Sequence, residues 1–103
     1  MKIIKKLSDM MWDELEGAER YVRCAINYKV DYPSVAKTMY DLSFDEMDHM
    51  NALHGEAVKL IEAHRRDSGE PPEAMQIIYD YIHEKLIDKA NKIKVYQEQY
   101  KSM

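Results

Sequence analysis

Two glutamates and one histidine in the first half of the chain have the types and spacing of metal ligands. Glu46 and His49 are three residues apart, so both side chains leave the same face if the segment is helical. Glu14 lies nearer the N-terminus, within an acidic run. Carboxylate oxygens and imidazole nitrogens together suit iron, manganese or zinc. A Glu-x-x-His pair is weak alone, because ten Glu and four His would give roughly 0.4 such pairs by chance.

The helix-breaking residues predict three long helices that would position these ligands. Pro33 suits the first turn of a helix, and Gly69 is a typical helix-ending residue. The chain contains only three Gly and three Pro, and it shows no strand-like alternation. We therefore expect an all-α single domain over residues 1–103, with helices over about 3–30, 33–67 and 72–100. Linkers this short make consecutive helices antiparallel neighbours, which predicts a long hairpin plus a third helix.

Apolar residues recur at steps of three and four along the first two predicted helices, as helix packing requires. The predicted stripe of the first helix is Leu7, Met11, Glu14, Ala18, Tyr21, Ala25 and Tyr28. The predicted stripe of the second is Ala36, Met39, Ser43, Glu46, Met50, Leu53, Ala57, Leu60 and His64. Each stripe holds one glutamate, at a similar depth in the folded hairpin. Two facing carboxylates in a core are unfavourable unless a cation lies between them, so this register favours a metal site.

Other interpretations of these residues stay open. Glu14 would be a surface residue if the true stripe is displaced by one step. Glu46 and His49 would be an exposed hydrogen-bonded pair if their helix is simply rich in charges. Tyr21 is of a type that more often packs than reacts. Cys24 is the only cysteine, so it excludes an internal disulfide and any site that needs several thiolates.

A combination of features resembles the first half of the ferritin-like superfamily, which includes rubrerythrins and bacterioferritins. These features are Glu14, Tyr21 seven residues later, a turn marked by Pro33, and then Glu46-x-x-His49. The Asp-Glu-Leu-Glu run around Glu14 and the step from Pro33 to Glu46 look closest to the encapsulated ferritins. The resemblance implies that Glu14, Glu46 and His49 are iron ligands. It also implies that Tyr21 lies near the metals.

The resemblance covers about residues 8–60 and supplies half of a ferritin-like site. A full site takes one Glu from each of two helices and a Glu-x-x-His from each of two others. The third predicted helix contains only the near-miss Asp80-x-x-His83 followed by Glu84. This cluster is expected to be a polar subunit contact or a secondary metal or entry site. Two copies related by a two-fold axis would complete the ligand set, as encapsulated ferritins do between subunits. We therefore expect a homodimer that forms a ferritin-like four-helix bundle.

The third helix and two further histidines complete the set of expected packing residues. The predicted apolar stripe of the third helix is Met75, Ile78, Ile82, Leu86, Ala90 and Ile93. His54 and His64 are interpreted as packing or surface residues of the second helix. Neither histidine is given a ligand role.

Charge and hydropathy narrow the classes of partner. A net charge of −4 argues against nucleic acid, whose phosphates need clustered Lys and Arg. No stretch approaches the roughly 20 apolar residues of a membrane span. Lysines interrupt the apolar residues at the N-terminus, so we expect no signal peptide and a cytoplasmic protein. Residues 99–103 do not resemble the cargo peptides of encapsulin shells, so an encapsulin-type shell partner and residence inside a protein compartment stay open.

The leading functional expectation is a ferroxidase that binds two Fe²⁺ between subunits and oxidises them with O₂ for iron storage or detoxification. Mn or Zn would suit the same ligands. Tyr21 would position a carboxylate or supply an electron. One alternative is a rubrerythrin-like peroxidase with an electron donor in trans. The other is a non-catalytic helical protein that oligomerises or serves as an adaptor.

Overall fold

Three α-helices make up the chain in the computed structural model, which describes residues 1–103. They are α1 (Lys2–Tyr28), α2 (Pro33–Ser68) and α3 (Glu73–Ser102), and no strand is present. The prediction of an all-α chain with three helices is confirmed, and each predicted bound lies within two residues of the observed one. None of the helices carries an apolar stretch long enough to cross a membrane.

Local sequence signals set the ends of these helices. Pro33 is the first residue of α2, where a missing backbone N–H removes no helical hydrogen bond. Gly69 ends α2 with a φ of 78°, a conformation that favours glycine. Its backbone N–H donates to the carbonyl of Arg65 at 3.0 Å. Glu73 lies in the first turn of α3, where a negative charge complements the helix dipole.

The buried face of α1 differs by one step from the predicted stripe. Its buried residues are Ile4, Ser8, Met11, Leu15, Gly17, Ala18, Val22 and Ala25. Leu15 and Val22 are fully buried, whereas Glu14 and Tyr21 beside them are half-buried and Tyr28 is exposed. The reason is that α1 packs against both other helices. A helix that packs against two neighbours buries the side that faces both of them. Two adjacent rows of residues on α1 both show spacing of three and four, so the spacing alone does not decide which row is buried. The expectation that Glu14 lies on the core stripe is therefore wrong by one step.

The buried faces of α2 and α3 also differ in part from the predicted stripes. Met47 of α2 is buried, whereas Glu46 beside it is only half-buried. In α3 the residues Leu86, Ala90 and Ile93 are buried as predicted. Ile78, by contrast, is 55% exposed, and its neighbour Tyr79 packs against the core instead.

α3 lies alongside α1 and touches α2 much less. The amino group of Met1 donates to the Tyr79 hydroxyl at 3.2 Å, and Nζ of Lys89 lies 2.9 Å from Oε2 of Glu19. Lys29 donates to backbone carbonyls at the end of α3. Because these partners follow the same order along both helices, α1 and α3 run parallel. A groove lies between α2 and α3.

Candidate metal centre

The three predicted ligands come together on the α1–α2 hairpin. Glu14 lies near the middle of α1, and Glu46 and His49 lie one turn apart on α2. One ligand atom from each of the three side chains lies within 4.8 Å of the others. Nδ1 of His49 lies 3.4 Å from Oε2 of Glu14. In no other part of the chain do three His, Cys, Asp or Glu side chains converge in this way.

This cluster lies at the surface of the chain and not in its core. The Glu14 side chain is 28% exposed and that of His49 is 60% exposed. Glu46 is half-buried. A cation held here by one chain would therefore have one side open to solvent or to further ligands.

The carboxyl group of Glu46 is electrostatically perturbed. A hydrogen bond with the Glu14 carboxylate favours the protonated form of Glu46, and partial burial and repulsion from the Glu14 charge act in the same direction. Together they raise the pKa of Glu46 above its ordinary value, although the nearby His49 opposes them. Either a proton or a bound cation would relieve the repulsion between the two carboxylates. A divalent cation could take the place of that proton, so the donor set fits a metal.

Gly17 allows the Glu46 carboxylate to approach α1 closely. A Cβ placed at this position would lie 3.2 Å from Oε2 of Glu46. Most side chains would therefore push the carboxylate by a few tenths of an ångström. Gly17 is fully inside a helix, where glycine is normally unfavourable. The sequence analysis did not single out Gly17. Its position could have marked it, because a glycine in the middle of a predicted helix, one turn after the candidate ligand Glu14, is unusual.

The ligands share their face of the hairpin with apolar residues. Leu7 and Tyr21 lie one heptad before and after Glu14, and both are half-buried. Met39 and Leu53 stand in the same relation to Glu46 and are also half-buried. Two helical turns, about 10 Å along the axis, separate the backbone of Tyr21 from that of Glu14, so the prediction that Tyr21 lies near the metals stays a prediction.

Asp80, His83 and Glu84 of α3 do not converge into a ligand cluster. Oδ1 of Asp80 accepts a hydrogen bond from Gln76 at 2.8 Å. Glu84 lines a separate surface hollow. His83 instead stacks on His54 of α2, with ring centroids 5.7 Å apart. The partnership of His83 with His54 was not visible in the sequence, because the two residues are 29 positions apart on different helices.

Comparison with known proteins does not assign the chain to a family. No family model, curated protein or solved structure matches this chain. The ferritin-like resemblance rests on Glu14, Tyr21 and the Glu46-x-x-His49 pair, and it stays a prediction.

Proposed function

We propose that the chain is a ferritin-like di-iron protein that binds Fe²⁺ and oxidises it with O₂ at a site shared by two copies. Iron storage or detoxification would be its purpose. The observation that carries the proposal is the convergence of Glu14, Glu46 and His49 within 4.8 Å on two neighbouring helices. The sequence pattern anticipates the same three residues.

The donor set suits iron as a substrate. Two carboxylates offer hard oxygen ligands, which favour Fe³⁺ over Fe²⁺, and an imidazole adds a neutral donor. A proton on Glu46 competes with a cation for the carboxylate, so the raised pKa of Glu46 predicts weaker metal binding as the pH falls through that pKa. Glu14 and His49, already 3.4 Å apart, would need little rearrangement to share a cation.

One chain supplies half of a di-iron site, so a second copy is part of the proposal. A two-fold axis beside the α1–α2 hairpin would bring four carboxylates and two imidazoles together. The four carboxylates would balance the charge of two Fe²⁺. Leu7, Tyr21, Met39 and Leu53 each lie one heptad from a ligand and are only half-buried, and a second hairpin would cover the parts of them that stay exposed. The resulting assembly would be a four-helix bundle with α3 outside it.

Aerobic addition of Fe²⁺ to the purified protein tests the proposed activity. Absorbance in the near ultraviolet should grow faster than in buffer as Fe³⁺ forms. Glu14→Gln and His49→Ala should each slow this growth by about tenfold or more, because each removes one ligand. Asp13→Asn is the matched control, since it neutralises the adjacent exposed carboxylate and should leave the rate unchanged.

Sedimentation and thermal melting under anaerobic conditions test the shared site. Added Fe²⁺ should shift the protein toward a dimer and raise its melting temperature, because the metal binds the complete ligand set of the dimer more tightly than the half set of one chain. Sedimentation and melting that are unchanged by Fe²⁺ would contradict the shared site.

A second candidate function is a non-catalytic helical protein that oligomerises or binds other proteins. Exposed apolar side chains on α3 favour it, among them Ile77, Ile78, Tyr81 and Val95. The same oxidation experiment decides between the two candidates. Wild-type protein that oxidises Fe²⁺ no faster than buffer and retains no metal would support the non-catalytic function.

A further inference from the structure

We propose that His54 of α2 and His83 of α3 form a second metal site, which binds a divalent ion such as Zn²⁺ or Ni²⁺ and links α3 to α2. This site is separate from the Glu14, Glu46 and His49 cluster. It also lies outside the proposed iron chemistry.

The separation of the two imidazole rings matches what a bridging ion requires. Their centroids are 5.7 Å apart and their planes differ by 26°. Metal–nitrogen bonds of about 2.0–2.1 Å place the centroids of two ligating imidazoles about 5 to 6.5 Å apart, depending on the angle at the metal. The helices therefore already hold the rings at a suitable distance. The rings are stacked in the metal-free chain, so each must turn about its side-chain bonds to direct one nitrogen toward a common ion.

The histidine pair lies where an ion and its water ligands have access. Two clefts of about 320 and 300 Å³ open along the groove between α2 and α3, and His54 and His83 line both of them. Met11 and Leu86 contribute to the floor of both clefts. His54 is half-buried and His83 is exposed. Solvent can therefore supply the remaining ligands of a bound ion.

The chemistry of this pair differs from that of the carboxylate cluster. His49 faces the Glu14 carboxylate at 3.4 Å, whereas neither His54 nor His83 forms an ion pair or belongs to a cluster with a carboxylate. Glu62 and Asp80 line the larger cleft, but the donors of the pair itself are two imidazoles. Such donors favour ions late in the first transition series, and Fe²⁺ binds them more weakly than Ni²⁺, Cu²⁺ or Zn²⁺. The two sites should therefore differ in metal preference.

A metal at this position would hold together the weakest helix contact of the fold. α3 packs chiefly on α1 and makes few contacts with α2. A hydrogen bond from Gln97 to Ser43 at 3.1 Å joins α2 and α3 on one side of the pair, and one from Arg65 to Gln76 at 3.2 Å joins them on the other. A bound ion would add a link in the intervening groove. Metal binding should therefore stabilise the folded chain.

Titration of Zn²⁺ into the full chain, followed by the NMR signals of the histidine rings, tests the proposal without altering the pair. The Glu46→Gln variant is used so that the carboxylate cluster is weakened. The His54 and His83 signals should shift together and saturate at one Zn²⁺ per chain, with His64 unaffected. Shifts in only one of the two rings, or equal shifts in His64, would overturn the proposal.

Substitution in the same Glu46→Gln background gives an independent measurement. Zn²⁺ should raise the melting temperature by several degrees, and His54→Asn and His83→Asn should each abolish this increase. His64→Asn is the matched control on α2 and should retain it. Circular dichroism without metal establishes that each variant folds. Because His83 is exposed and His54 is half-buried, His83→Asn should disturb the fold less than His54→Asn. A Zn²⁺ stabilisation that survives in both pair variants would contradict the link between α2 and α3.

Discussion

Replacing Gly17 with alanine should make the protein more stable and should impair Fe²⁺ oxidation at the proposed metal centre. Gly17 and Gly55 both lie inside long helices, so each replacement removes the same unfavourable backbone entropy. The surroundings differ, however. A Cβ at Gly17 would lie 3.2 Å from Oε2 of Glu46, whereas a Cβ at Gly55 would meet no atom within 4 Å. Gly55→Ala is therefore a matched control for the effect of Gly17→Ala on the ligand.

The expected magnitudes follow from this difference. Alanine in a helix interior is favoured over glycine by about 0.5–1 kcal/mol. Gly55→Ala should gain this amount in full, which corresponds to an increase of about 2–8 °C in melting temperature for a domain of this size. Gly17→Ala should gain somewhat less, because the Glu46 carboxylate must move by a few tenths of an ångström. Metal–ligand distances in well-formed sites agree to within about 0.2 Å, and a Glu46 carboxylate held away from its position would fit a metal less well, so we expect about tenfold slower Fe²⁺ oxidation.

Two measurements on both variants provide the assay. Thermal melting without metal measures the helix effect, and the initial rate of aerobic Fe²⁺ oxidation measures the state of the site. Both variants should be more stable than the wild type, and only Gly17→Ala should oxidise Fe²⁺ more slowly. Equal oxidation rates in the two variants would refute the role assigned to the close approach of Glu46 and α1.

The raised pKa of Glu46 and the ion pair of Glu19 should both make the stability of the fold depend on charge. Because the pKa of Glu46 is raised, its contribution to stability is present below the ordinary glutamate pKa and is lost as the pH rises through the folded-state value. Glu46→Gln should therefore raise the melting temperature of the metal-free protein at neutral pH and flatten its decline with rising pH. Glu19 lies against Lys89, and both side chains are only 13% exposed. Glu19→Gln should lower the free energy of unfolding by about 1–3 kcal/mol in urea titrations, because it leaves Lys89 without its charge partner. The control Lys92→Met, at a lysine that is 56% exposed, should cost less than about 1 kcal/mol. The pKa of Glu19 is lowered, so its contribution should be lost as the pH falls through the folded-state value.

The helices could be predicted from the sequence because their ends depend on local chemistry. Pro33 and Gly69 act through their own backbones, so no knowledge of tertiary packing is needed. The convergence of Glu14, Glu46 and His49 was also predictable, since a short turn fixes the register of a hairpin.

Features that depend on contacts between distant segments could not be predicted in the same way. The side of α1 that is buried depends on α3, which follows it by more than 40 residues. The proximity of His54 and His83 likewise depends on how α3 lies in the groove of the hairpin. A stripe with spacing of three and four specifies a helix face only to within about one step, because the apolar sector of such a helix is broad.

The one-step difference between the predicted and the observed buried face of α1 affects the proposed metal centre. If Glu14 occupied the position of the fully buried Leu15, its carboxylate would be enclosed by the chain's own helices and could not reach a second copy. At its actual position beside Leu15, the Glu14 side chain is 28% exposed. It lies close enough to Glu46 and His49 to share a cation with them, and it is open enough for a second copy to supply further ligands. Burying a second hairpin against this face would remove the remaining water and strengthen each charge interaction at the site. The position of Glu14 at the edge of the core therefore supports a centre that only two chains together complete.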